Sequence, residues 1–159
     1  MKQSRKEDKM RFVIQRVTRA SVEIEGNITA DIGRGFAVLI GCCESDTTMI
    51  ADKMIKKLLG MRIFADSEGK TNLSLDDVAG ALLLVSQFTL YADCRKGNRP
   101  SFLRSGDPVH AERLYDYIVE SCRAKKTDMV IETGSFGADM KISLENDGPF
   151  TIVLDSDEL

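Results

Sequence analysis

The chain has 159 residues, of which 43% are hydrophobic and 30% charged, and its formal net charge is −3. This length suits one globular domain with a sizeable core, and no apolar run approaches the ~20 residues that a membrane-spanning helix needs. The negative charge argues against a protein that coats nucleic acid non-specifically, and we expect neither DNA nor a membrane as a partner.

The first ten residues are polar and lack the apolar segment of a signal peptide, so we expect a cytoplasmic protein. Residues 1–9 mix cations with acids and predict a polar N-terminal extension. The single domain is therefore expected to cover 10–159.

The first third of the domain predicts a hairpin, a buried strand and a helix. Alternating apolar residues predict strands over 11–18, 21–25 and 28–32, with a turn at 25–27. The continuous apolar run 36–41 predicts a central strand covered on both faces. Thr47 or Thr48 can cap a helix whose apolar residues follow the 3.6-residue period as far as Gly60.

The rest of the chain alternates short strands with long polar connections. A short strand is predicted over 61–64, a polar loop over 65–80 and a second deeply buried strand over 81–88. Residues 91–106 have no hydrophobic period, and a connection of this length is more often functional than idle. Asp107 and Pro108 predict the start of a second helix, which reaches Lys126. Strands over 129–132, 139–145 and 150–154 follow.

These elements amount to two main helices among about eight strands. They show no regular alternation of strand and helix, which disfavours a doubly wound parallel sheet. We therefore expect an α+β fold with a mixed, mainly antiparallel, barrel-like sheet.

The sequence offers little support for metal, cofactor or triad chemistry. The four cysteines form no CxxC pair and are expected to be reduced. The single histidine, His110, falls in the first turn of a predicted helix, where a solvated surface position is usual. Asp46 and the pair Asp76–Asp77 lie in predicted loops and are expected to serve as caps or for solubility. No glycine-rich phosphate loop is present, so we expect no metal and no cofactor.

Two short segments do not fit the strand pattern. Residues 86–90 (SQFTL) place Ser, Gln and Thr directly after the apolar run 81–85, and residues 146–151 (NDGPFT) place a proline between a glycine and a strand-like run. Together they suggest a site built from backbone geometry and small polar groups. A third feature is the run of four cations without an acid between Cys94 and Gly106, which is either a solvated face or a phosphate contact.

Five sequence blocks, in this order, resemble the D-aminoacyl-tRNA deacylases over residues 10–154. They are 11–17 with 20–22, 86–90, 96–102, 136–140 and 146–151. The resemblance implies a homodimer that hydrolyses the ester between a D-amino acid, or glycine, and the 3′-terminal adenosine of a tRNA. It further implies that the Gly148–Pro149 bond is cis and that this motif enters the pocket of the partner subunit, where it excludes an L side chain.

The resemblance also assigns roles to individual residues. Ser86, Gln87, Phe88 and Thr89 would form the catalytic wall, with the Phe88 N–H as oxyanion donor and the adenosine 2′-hydroxyl assisting. Arg16 would hold the Gly-Pro motif, and Phe136 and Met140 would line the pocket near the adenosine. Four cations would contact the acceptor stem: Arg95, Lys96, Arg99 and Arg104.

Without the resemblance, these residues have simpler interpretations. Gly148–Pro149 would be a tight turn, Arg16 a salt-bridged strand residue, and Phe136 and Met140 parts of the core. Phe150 departs from the family pattern, where a smaller β-branched residue is common, and could alter packing at the subunit contact.

Two rival functions remain open. One is a module that binds tRNA or an aminoacyl adenosine without cleaving it. The other is a hydrolase of small D-amino acid derivatives that uses Thr89 as its nucleophile.

Overall fold

The computed structural model describes residues 9–159, and most of the predicted extension, residues 1–8, lies outside the described residues. Lys9 is in contact with the fold. Its carbonyl oxygen accepts a hydrogen bond of 2.6 Å from the Tyr91 hydroxyl, and its ammonium group pairs with Asp157.

Residues 9–159 form eight strands and two α-helices. The strands are β1 (Arg11–Ile24), β2 (Asn27–Ile32), β3 (Gly35–Gly41), β4 (Phe64–Ala65), β5 (Thr71–Leu73), β6 (Ala81–Ser86), β7 (Ile131–Thr133) and β8 (Lys141–Asp155), and the helices are α1 (Thr48–Gly60) and α2 (Pro108–Lys125). Short 3₁₀ turns cover Phe88–Tyr91, Leu103–Ser105 and Ser156–Glu158. Neither α-helix has the length and apolarity needed to cross a membrane.

The sheet is mixed and curls around β1. One edge of β1 pairs with β8 over nearly its whole length, and the other pairs with β3 along its first half and with β2 along its second, all antiparallel. Strands β3, β6 and β7 are parallel neighbours. The sheet bends far enough for β2 to contact β7, which gives the barrel-like form. The predicted α+β fold is thus confirmed.

Several predicted boundaries are wrong. The segments 11–18 and 21–25 form one strand, β1, and the segments 139–145 and 150–154 form another, β8. Of the predicted strand 61–64, only Phe64 lies in a strand, β4. Strand β4 pairs with β5, which lies inside the predicted polar loop 65–80. Strand β6 ends at Ser86 instead of residue 88, because the chain enters a 3₁₀ turn at Phe88.

Alternation along β3 and β6 divides the core into two clusters, because successive side chains of a strand point to opposite faces. Phe36, Val38 and Ile40 pack with the buried faces of both helices. Ala37, on the other face of β3, packs with residues of β1, β2 and β6 inside the curl of the sheet. The predicted central strand, covered on both faces, is therefore confirmed for β3.

The helices begin where their caps predict. The Thr47 hydroxyl accepts a hydrogen bond from the Ile50 N–H at the start of α1, and the Asp107 carboxylate accepts one from the Val109 N–H at the start of α2. Each cap satisfies one of the N–H groups that a first helical turn leaves without an acceptor. The start of α2 is thereby fixed beside the carboxyl ends of β3 and β6.

Candidate active site

A cavity of about 550 Å³ opens at the carboxyl ends of the parallel strands. Ile40 contributes the end of β3, Ser86 the end of β6, the segment 136–140 the connection after β7, and Pro108 the start of α2. Ligand sites in parallel sheets characteristically lie at this edge, and the volume is in the range of small-molecule sites.

The cavity brings together residues from two of the predicted blocks. Ser86, Gln87 and Phe88 form one part of its wall, and Phe136 and Met140 form another. The Gln87 N–H donates to the Ile40 carbonyl at 2.8 Å, which extends the β3–β6 pairing by one residue past the strand end. Phe88 opens the 3₁₀ turn, so its N–H has no acceptor within that turn.

Thr89 is exposed next to this wall but does not line the cavity. Its hydroxyl accepts a hydrogen bond from the Gln87 side-chain amide. Among the described residues, no carboxylate or imidazole is bonded to the Thr89 hydroxyl. The arrangement therefore supplies no general base for a threonine nucleophile.

Two ionisable groups at or beside the cavity, Cys42 and Tyr115, are held in their neutral forms. Burial is the main cause that raises the pKa of the Cys42 thiol to about 12, and the nearby Asp46 carboxylate raises it further. Burial likewise raises the pKa of Tyr115, in the core beside Phe136, to about 12. Asp139 is the one carboxylate among the described lining residues. Strong acid–base chemistry thus has few candidates here.

The Gly-Pro segment, residues 146–151, interrupts the pairing of β8 with β1. Gln15 pairs with Thr151 and Val17 with Asn146, so residues 147–150 loop out opposite Arg16 alone. The Gly148–Pro149 peptide bond is cis, as the resemblance implies. Gly148 and Pro149 are exposed, and neither lines the cavity.

Asn146 closes the base of this loop. Its side-chain oxygen accepts a hydrogen bond from the Phe150 N–H at 2.7 Å, and its amide donates to the Phe150 carbonyl at 3.0 Å. The same amide donates to the Gln15 side chain at 2.6 Å, and Gln15 also accepts from the Thr151 hydroxyl at 2.8 Å. Four polar contacts therefore fix the two ends of the looped segment to each other and to β1.

Arg16 holds the loop from the side. Its Nε donates to the Asp147 carbonyl at 3.0 Å, and its Nη1 donates to the Ile63 carbonyl at 2.7 Å. Its guanidinium carbon lies 4.5 Å from the centre of the Phe150 ring, a cation–π distance. The side chain is only 14% exposed. The position where this chain departs from the family pattern, Phe150, thus supplies one of the contacts of Arg16.

Gly148 has a tight position in the loop. Its φ is +142°, and a Cβ added there would lie 2.9 Å from the Phe150 nitrogen and 3.3 Å from Nη2 of Arg16. L side chains rarely adopt this backbone conformation. Any larger residue would therefore displace the loop or its arginine.

Three of the four predicted tRNA-contacting cations lie in one closed loop, and the fourth, Arg104, lies in the 3₁₀ turn that follows it. Asp93 and Ser101 exchange backbone hydrogen bonds of 2.7 and 2.9 Å, which close off residues 94–100. Arg95 pairs with Asp93 at 2.7 Å and strongly lowers the pKa of that carboxyl. The remaining three cations, Lys96, Arg99 and Arg104, are exposed.

His110 and Asp46 are more buried than their sequence positions suggest. Asp46 is only 3% exposed and accepts hydrogen bonds from the Met10 and Cys43 N–H groups at 3.1 and 2.8 Å. His110 is half-buried, and its Nε2 lies 2.9 Å from the Asp46 carbonyl oxygen. The expectation of a solvated position is wrong for His110, because the loop after β3 folds back against the start of α2. Asp46 was expected to serve as a cap or for solubility, and its buried carboxylate does accept backbone N–H groups.

The predicted site residues do not include Gln15, which organises the Gly-Pro segment. A polar side chain within the apolar alternation of β1 is the signal that could have identified it. Asp155, Asp157 and Glu158 form the one acidic cluster of the described residues with metal-like spacing. Two of its carboxylates are already paired, with Arg11 and Lys9, so the cluster does not suggest a metal site.

Comparisons with known proteins agree on one family. The family model described as D-Tyr-tRNA(Tyr) deacylase matches residues 13–155. The D-aminoacyl-tRNA deacylase of Thermosipho melanesiensis is 51% identical over 147 residues, which are 92% of this chain and 97% of that protein.

Two solved structures are also similar. One is described as c-Myc DNA Unwinding Element Binding Protein and has a TM-score of 0.85 at 41% identity, covering 91% of this chain and 97% of its own. The other is described as a probable eukaryotic D-amino acid tRNA deacylase, with a TM-score of 0.79 at 19% identity and coverage of 93% and 100%. At this identity the second likeness concerns the fold alone.

Proposed function

The chain belongs to the D-Tyr-tRNA(Tyr) deacylase family and is a D-aminoacyl-tRNA deacylase, and we propose that it selects its substrate by excluding L side chains with the Gly-Pro segment of a partner subunit. The observation that carries this proposal is the cavity. It joins the wall at residues 86–88 to Phe136 and Met140, which come from a separate block of the family pattern.

The reaction is hydrolysis of the ester at the 3′-oxygen of the terminal adenosine. A water oxygen attacks the carbonyl carbon, and the carbonyl oxygen becomes an oxyanion that accepts a hydrogen bond from the Phe88 N–H. The oxyanion then re-forms the carbonyl as the carbon–oxygen bond to the ribose breaks, and the 3′-oxygen takes up the proton that the attacking water releases. Ser86 and Gln87 orient the substrate, and the neighbouring 2′-hydroxyl assists, so that no strong base is required from the protein.

The Gly-Pro segment acts in the cavity of the partner subunit of a homodimer. Its exposure and its absence from the cavity of its own subunit support this role. Backbone carbonyls there accept hydrogen bonds from the α-ammonium group and leave no space for an L side chain. Because the filter acts by exclusion, a D side chain and the hydrogen of glycine both pass.

The substrate chemistry also fits the surroundings of the cavity. Phe136 and Met140 offer apolar surface to the terminal adenosine. Lys96, Arg99 and Arg104, with Arg95 beside Asp93, offer positive charge to the phosphates of the acceptor stem. A smaller D-amino acid ester cleaved by Thr89 is a poorer fit, because the Thr89 hydroxyl contacts an amide and not a base.

Deacylation of three substrates tests this function. We expect rapid release of D-tyrosine from D-Tyr-tRNA and of glycine from Gly-tRNA, while L-Tyr-tRNA stays charged. Equal cleavage of the L ester would refute the chiral filter. Replacement of the terminal adenosine by its 2′-deoxy form should slow cleavage sharply, and an unchanged rate would remove the role of the hydroxyl.

A further inference from the structure

Three exposed apolar side chains stand together at the mouth of the cavity. We call Phe88, Phe102 and Leu103 the aromatic rim. The two rings are in edge contact, with centroids 5.3 Å apart at 72°, and the three side chains are 57%, 38% and 94% exposed. Phe88 lines the cavity. Ser105 and Gly106 line it too, and only Arg104 separates them from Leu103 in the sequence. The rim is therefore continuous with the candidate active site.

Large apolar groups that are exposed side by side mark binding surfaces more often than idle ones. The core explains neither Phe102 nor Leu103, because both lie outside the two buried clusters. Leu103 in particular is almost fully exposed to solvent. A contact with a ligand would account for both.

Positive charge accompanies the rim on the same segment. The Asp93–Ser101 bridge sets the loop that carries Lys96 and Arg99 directly before Phe102. Arg104 follows Leu103 and lies close enough to Asp93 to help lower the pKa of that carboxyl. No acidic residue occurs between Cys94 and Gly106. Aromatic rings interleaved with cations are typical of surfaces that bind single-stranded nucleic acid.

We propose that the aromatic rim stacks the unpaired nucleotides that precede the terminal adenosine of the tRNA, while the loop cations contact their phosphates. The inference rests on the proposed function, which puts the terminal adenosine in the cavity. The preceding nucleotides must then leave through the mouth, over Phe102 and Leu103. Unpaired bases stack on aromatic side chains with little dependence on sequence, which suits an enzyme that acts on many tRNAs.

The test compares a long and a short substrate. Phe102→Ala and Leu103→Ser are assayed on D-Tyr-tRNA and on the D-tyrosyl ester of adenosine alone, which lacks the preceding nucleotides. We expect KM for D-Tyr-tRNA to rise about tenfold for Phe102→Ala, the effect expected for loss of one stacking ring. The short ester should be cleaved by both variants as by the wild type. Met49→Ser is a matched control, because Met49 is apolar and 73% exposed but lies on α1.

Three results would overturn the inference. An equal loss on both substrates would mean that the rim shapes the cavity itself. Unchanged kinetics on D-Tyr-tRNA would mean that the rim binds no nucleotide. A shift of the variants from dimer to monomer in size-exclusion chromatography would make the rim a subunit contact. If the wild type cleaved neither D-Tyr-tRNA nor the adenosine ester, the proposed function itself would be refuted. Failure of the inference and failure of the proposed function are therefore distinguishable.

Discussion

Loss of the Arg16 side chain should damage both stability and chiral selection. Arg16→Ala removes two hydrogen bonds from a charged donor to the Asp147 and Ile63 carbonyls, and a cation–π contact with Phe150. Hydrogen bonds to charged groups contribute about 1.5–3 kcal/mol and an exposed cation–π pair about 0.5–1 kcal/mol. Because the Gly-Pro segment is partly exposed, the lower ends of these ranges apply, and we expect a loss of about 3.5 kcal/mol in the free energy of unfolding.

The same substitution releases the segment that the proposal makes responsible for excluding L side chains. We expect the ratio of D-Tyr-tRNA to L-Tyr-tRNA cleavage to fall by tenfold or more, a loss of about 1.4 kcal/mol in discrimination. Arg16→Lys is the matched control. It keeps the charge but cannot direct two separate N–H groups at two carbonyls, so its loss should be intermediate.

The assays are urea unfolding and deacylation of both stereoisomers at a temperature where each variant is folded. A folded Arg16→Ala protein with wild-type discrimination would refute the reasoning, because the arginine would then support the fold alone. An Arg16→Lys protein that matches the wild type in both assays would refute the role of the planar two-carbonyl contact, because the charge alone would then be sufficient.

Four further predictions concern the wall and the thiols. Phe88→Pro removes the proposed oxyanion donor and should lower kcat by about 100-fold. The position tolerates proline, because Phe88 is the first residue of a 3₁₀ turn and follows the extended Gln87. Phe88→Ala keeps the N–H and should retain most of kcat; equal losses would exclude the N–H as donor. Thr89→Ala should keep substantial activity, and complete loss with an intact fold would favour covalent catalysis. In the native protein at pH 8, Cys94 should react with a thiol reagent before the three buried cysteines, and rapid reaction of all four would contradict the burial. Burial raises the pKa of Cys42 to about 12 and those of Cys43 and Cys122 to about 11, from 9.0. Their contribution to stability is complete below pH 9 and is lost as the pH rises towards 11–12, because the unfolded chain then releases protons that the folded chain retains. The thermal midpoint should fall over that range, and a flat profile would contradict this.

Local patterns were sufficient to predict most helices and strands. Thr47 and Asp107 are capping residues at the start of apolar stripes, and a cap of this kind acts within its own helical turn. The two-faced burial of β3 was likewise predictable from its uninterrupted apolar run. Predicted strand boundaries were wrong where residues distant in the sequence determine them. Strand β6 ends at Ser86, the last residue that pairs with β3, and β8 is continuous because β1 pairs with both of its halves.

The candidate site was only partly predictable, for a related reason. Residues 86–88 and Pro149 stood out because polar or rigid residues broke an apolar pattern. The contacts of Gln15 and the burial of Asp46 could not be predicted, because each depends on a partner more than 30 residues away in the sequence. Their side chains look ordinary until the fold supplies those partners. The resemblance supplied the substrate, which no residue pattern specified.

Mixed dimers give the most direct test of the central claim, that the wall of one subunit works with the Gly-Pro segment of the other. Phe88→Pro impairs the wall, and Gly148→Val impairs the segment, because the added side chain would meet Phe150 and Arg16. Each variant alone should be nearly inactive on D-Tyr-tRNA. Equal amounts, reassociated at random, should recover about a quarter of wild-type activity, since half of the dimers then contain one intact composite site. No recovery in dimers shown to be mixed would contradict the claim, because it would mean that each subunit uses its own segment.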